Sequence, residues 1–84
     1  MIKSFSARPP HTLIIHYRDG RQCALDLKEW IESDALNQPL RRPEVFVGVY
    51  KEAGGGAEWL HGSHLDPAVI DEMLELQRQI PRKS

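Results

Sequence analysis

The run His61-Gly62-Ser63-His64, with Asp66 two residues on, is the densest group of possible ligands and proton carriers in the sequence. Imidazole and carboxylate together suit zinc, nickel or copper, and a catalytic zinc site uses three protein ligands with one position left open. The third ligand here would be Asp66, which also stands where a helix begins, and Gly62 bends the segment into a turn. His61 and His64 are the metal candidates, and a plain turn is the expectation they are weighed against.

His16 and Cys23 face one another if the intervening Asp19-Gly20 makes a two-residue turn. A histidine in hydrogen-bond reach can activate a thiolate. Partners in mid-sheet leave no oxyanion site beside them, and no third orienting residue is evident. A partly buried thiol beside an outward-facing histidine is the expectation. Gly54-Gly55-Gly56 invites comparison with a phosphate loop, but such a loop joins a strand to a helix and is followed by Lys-Ser/Thr. Here Lys51 comes first and a strand pattern follows. Ser4, Ser6, Ser33 and Ser63 lie in no nucleophile motif. No catalytic set emerges, so neither enzyme activity nor a cofactor is expected.

Charge narrows the partners. Eleven Lys and Arg stand against 12 Asp and Glu, with a pI of about 6.4. Domains that grip phosphate backbones carry a basic stripe. Arg18 and Arg21 flank one turn, but nothing in the pattern places Arg41 and Arg42 beside them, and nucleic-acid binding is not expected. Cys23 is the only cysteine, which rules out an internal disulfide. No stretch approaches the roughly 20 apolar residues of a membrane span. Cytoplasm is the expected compartment.

The 84 residues, 40% hydrophobic and 27% charged, suit one small globular domain. Residues 1–11 read as a flexible N-terminal arm, with Pro9-Pro10 extending the backbone before the first element. Residues 12–80 form the domain and 81–84 a solvated tail. Thr12–Arg18 and Arg21–Leu25 flank Asp19-Gly20, a strong hairpin signal. A two-residue turn places Ile15 across from Ala24 and Ile14 across from Leu25, with Leu13, Ile15 and Tyr17 on the core face. Asp26 and Glu29 make a capping box for a helix carrying Leu27, Trp30, Ile31 and Ala35 and ending near Leu36. One helical turn at Pro43 follows, then strands over Phe46–Lys51 and Ala57–Leu60 around the glycines. Asp66-Pro67 opens the last helix, which Pro81 ends. The expected fold is α+β: a small antiparallel sheet from two β-hairpins with two α-helices, in the order ββαββα.

The Asp19-Gly20 hairpin, Asp26-Leu27 opening a helix, Leu40 through Phe46, the glycine turn, Trp59-Leu60-His61-Gly62, and Leu65-Asp66-Pro67 before a final helix form an ordered set. From about Leu13 to Leu74 this resembles the DUF 2442 family, small bacterial domains of unknown function. The resemblance implies a compact α+β domain, alone or joined to a helix-turn-helix DNA-binding domain. It also implies a second small protein encoded alongside, in a pairing of the toxin–antitoxin kind. No catalytic residue carries over. His61 and His64 stand where relatives usually have other polar residues, so any chemistry resting on them is particular to this chain.

The last helix holds the best functional signal. Val69, Met73, Leu76 and Ile80 recur at spacings of four, three and four, and Ile70 with Leu74 makes a neighbouring stripe. Periodicity leaves open whether both stripes pack at home or one faces a partner. Trp59, at a strand end, is either core or an anchor for that partner. The expectation is a non-catalytic protein-interaction module, binding another protein or its own copy as a homodimer. A metal- or small-ligand-binding domain built on His61 and His64 is the alternative.

Overall fold

A computed structural model describes residues 1–79. Ile80 of the expected seam, and the tail 81–84, lie outside the described residues. The fold is α+β, with two three-stranded antiparallel sheets. The first contains β1 (Ile2–Arg8), β2 (Thr12–Tyr17) and β3 (Gln22–Asp26). Then come α1 (Lys28–Glu32), a 3-10 helix (Ala35–Arg41) and α2 (Pro43–Phe46). The second sheet contains β4 (Tyr50–Lys51), β5 (Ala57–Glu58) and β6 (His64–Leu65), and α3 (Pro67–Gln79) follows. The expected single sheet is instead two, each with one strand more than a hairpin supplies, and three short helices stand between them, so the order is not ββαββα.

The first extra strand is the supposed arm. Residues Ile2–Arg8 pair along β2, with Phe5 opposite Ile15 and Ala7 opposite Leu13. Opposed residues share a face, so Phe5 and Ala7 extend the Leu13–Ile15 surface into the core. The second is β6, which pairs Leu65 with Ala57 and His64 with Glu58.

Three of the four hairpins, all but β1–β2, turn in one way. Gly20 N–H bonds to Tyr17 O, Gly55 N–H to Glu52 O and Gly62 N–H to Trp59 O. The strands close behind them with Tyr17 N–H to Arg21 O, Glu52 N–H to Gly56 O and Trp59 N–H to Ser63 O. Gly20, Gly55 and Gly62 are the residues with positive φ, at 94°, 96° and 116°. This is a three-residue loop in which a tight turn is followed by a glycine bulge. Asp19 has no positive φ, which a two-residue type I′ turn would require. The extra loop residue moves the register by one, to Ile14–Ala24 and Ile15–Cys23 rather than Ile15–Ala24. A slip of one residue flips every side chain, so Cys23 joins Ile15 on the core face and His16 faces out opposite Gln22. The expected Cys23–His16 pair does not form. His16 Nε2 bonds Ser6 Oγ instead, at 2.8 Å.

α1 is shorter than its apolar spacing suggests because polar side chains compete for its backbone. Ser33 Oγ donates to Trp30 O, and Asp34 adopts extended backbone and accepts Leu36 N–H at 2.9 Å, starting the 3-10 helix. Asn37 Nδ2 and Gln38 Nε2 then donate to Trp30 O and Ile31 O, serving carbonyls that a helix end leaves open. At the other end Asp26 accepts Lys28 N–H, and Leu27 occupies the cap position without a capping bond. The capping box with Glu29 is not made. The strand expected from Phe46 shrinks to Tyr50–Lys51, because Pro43–Phe46 forms the α2 turn.

Trp59 joins the two halves of the core. It is buried, its ring lies 5.9 Å from that of Trp30 and 6.1 Å from the nearly parallel ring of Phe46, and its Nε1 donates to Phe46 O. Ile70 of α3 is fully buried in the same core.

Candidate interaction surface

α3 forms because Pro67 fits its first turn and an unbroken run of good helix formers follows. Its two apolar stripes part company in the fold. Ile70 is buried and Leu74 half-buried against the core, while Val69 is 40% and Leu76 56% exposed. Met73, between them on the helix surface, is half-buried. The Ile70–Leu74 stripe is therefore the home side and Val69 and Leu76 form the outer one, with Met73 packed against the core at the boundary between them.

α3 also covers the free edge of β3. The Gln77 amide accepts Asp26 N–H at 3.1 Å and donates to Asp26 O at 2.8 Å, the two bonds a neighbouring strand would make. A covered edge discourages pairing with another chain. The cover is confined to Asp26, the last residue of β3, while Gln22 and Ala24 further along the strand are exposed.

The histidine cluster has other work. Ser63 is fully buried in the β5–β6 hairpin, and its hydroxyl donates to Asn37 Oδ1 at 2.7 Å. The same hydroxyl lies 3.3 Å from Leu36 O and 2.7 Å from His61 Nε2, so Ser63 ties the hairpin to the 3-10 helix and to His61 at once. The pair has the spacing of a serine nucleophile and its base, but Ser63 is fully buried while His61 is half-buried and lines a cleft with Glu44, Val45, Gly48 and Leu60. His64 is exposed on β6 across from Glu58. Among the described residues no three His, Cys, Asp or Glu side chains gather as a metal would need.

The glycine turn holds an anion of its own. Gly56 N–H donates to Glu52 Oε1 at 2.8 Å. The N–H groups of Gly54 and Gly56 hold the Glu52 carboxyl below its ordinary value. A cleft of about 490 Å³ lies beside this turn, lined by Tyr17, Arg18, Lys51, Gly54, Gly55 and Asp71 among others. Burial and the neighbouring Cys23 thiol push the Tyr17 phenol above its ordinary range, and the Arg21 guanidinium sits 5.0 Å from the Tyr17 ring centre. Arg42 lines a different cleft, with Gln38, Pro39 and Val45, so Arg18 and Arg42 are not gathered into one basic hollow.

Trp59, the other anchor candidate, is 1% exposed and belongs to the core. A second exposed apolar group escaped the sequence reading. Leu60, at the tip of the β5–β6 turn, is 94% exposed, and Leu36 and Val47 are more than half exposed. An apolar residue inside a turn was the signal that could have found Leu60. No helix among the described residues is long and apolar enough to cross a membrane. Set against known protein families, curated proteins and solved structures, the chain matches none.

Proposed function

We propose that this domain is a non-catalytic protein-interaction module that receives another polypeptide on the outer face of α3. The observation that carries this reading is the split of α3 into a buried stripe at Ile70 and an exposed one at Val69 and Leu76. Exposed apolar stripes on a helix suit helix-to-groove and helix-to-helix recognition. The use of Ser63, Asn37 and Glu52 in holding the fold supports a binding rather than a catalytic role. The resemblance to DUF 2442 adds a setting: the regulatory or neutralising half of a small bacterial protein pair, acting in the cytoplasm.

Light scattering of the purified protein, alone and mixed with the protein encoded beside it, tests this reading. A complex of higher mass is expected, and it is lost in the double variant Val69→Ser/Leu76→Ser. A monomer that leaves that protein unbound, or a complex indifferent to both substitutions, overturns it.

A further inference from the structure

The charges beside the outer stripe point to the chemistry of its partner. Glu72 stands three residues after Val69 and four before Leu76, so its carboxylate borders the same stripe. Within Pro67–Gln79, Asp71, Glu72 and Glu75 face a single cation, Arg78, whose Nη1 is 3.7 Å from Glu75. Glu72 has no ion-pair partner among the described residues. α1 repeats the bias, with Glu29 and Glu32 against Lys28. α1 and α3 are thus acidic, although the whole chain is close to neutral.

A second copy fits poorly. In a two-fold pairing centred between Val69 and Leu76, the two Glu72 carboxylates flank the axis, and like charges across an interface weaken it. A rim of the opposite sign meets no such penalty. We propose that the outer stripe of α3 receives a basic amphipathic helix of a partner protein. That helix lays its apolar side on Val69 and Leu76 and sets lysine or arginine beside Glu72. This assignment rests on the α3 reading above and adds the partner's charge.

The test titrates the isotope-labelled full chain with two synthetic amphipathic helices sharing one leucine stripe, one rimmed by lysine and the other by glutamate. The lysine peptide is expected to shift the amide signals of Val69, Met73 and Leu76, and to bind at least about tenfold more tightly than the glutamate peptide. Glu72→Lys is expected to weaken the lysine peptide by roughly three- to tenfold, and added salt to do the same. Equal binding of both peptides, or tighter lysine-peptide binding by Glu72→Lys, overturns the charge assignment while leaving the α3 reading standing. Shifts that avoid α3 and survive Val69→Ser/Leu76→Ser overturn both. A doubling of mass without peptide, abolished by Val69→Ser/Leu76→Ser, assigns the stripe to a second copy and overturns the basic partner.

Discussion

The two sheets share a glycine-bulge turn, at Gly20 in the first and at Gly55 and Gly62 in the second, but are held together by different means. In the first, strands of seven, six and five residues carry a ladder and an alternating core face. In the second, each strand has two residues, too few for either. Single side chains replace the ladder there. Glu52 binds its own turn, Ser63 reaches Asn37 in the 3-10 helix, and Trp59 Nε1 serves the carbonyl of Phe46. A long sheet spreads its stability over repeated small contributions, whereas the short one concentrates it in a few groups. Substitutions in the second sheet should therefore cost more per residue and act locally.

The strongest way to break that contrast is Trp59→Ala, expected to cost about 3–5 kcal/mol through the lost aromatic volume and the lost bond to Phe46. Amide exchange should quicken most across β4–β6, whose contact with Trp30 and Phe46 runs through Trp59, and unchanged exchange there would contradict that bridging role. Gly56→Ala comes next. A Cβ there would collide with Leu65 O, so β5 and β6 must separate at a cost of about 2–3 kcal/mol, readable in a urea midpoint. An unchanged midpoint would mean the close approach is not needed. The smallest effect belongs to Glu52. Its folded-state pKa is lowered, so its contribution is present above the ordinary glutamate value of about 4.3 and is lost as pH falls through the lowered one. Glu52→Gln should destabilise the protein at neutral pH and flatten its loss of stability on acidification. A parallel acid profile would contradict the role of the carboxylate.

The same contrast explains what the sequence disclosed. Asp19-Gly20 announced a hairpin correctly, since either loop length places glycine last. It did not reveal the register, because Asp-Gly serves both loops and only the φ of Asp19 separates them. β1 was hidden by its own irregularity. Its register shifts between Ile2 and Ser4, so the inward Phe5 and Ala7 do not continue an alternation from Ile2. β6 is too short to carry a period. α3 was legible from Asp66-Pro67 and its apolar spacing, but the choice between its stripes required the core into which Ile70 fits. Leu60 is invisible as surface in the sequence because its apolar side chain extends the Ala57–Leu60 strand pattern, whereas β5 ends at Glu58 and Leu60 enters the turn.

The proposed role of α3 requires that the exposed Val69 and Leu76 be spare to folding. The most direct measurement is the urea unfolding free energy of Val69→Ser/Leu76→Ser beside wild type. Exposed positions cost little when made polar, so the two proteins should agree within about 0.5 kcal/mol per substitution. A loss of several kcal/mol would place the stripe in the core and contradict that role.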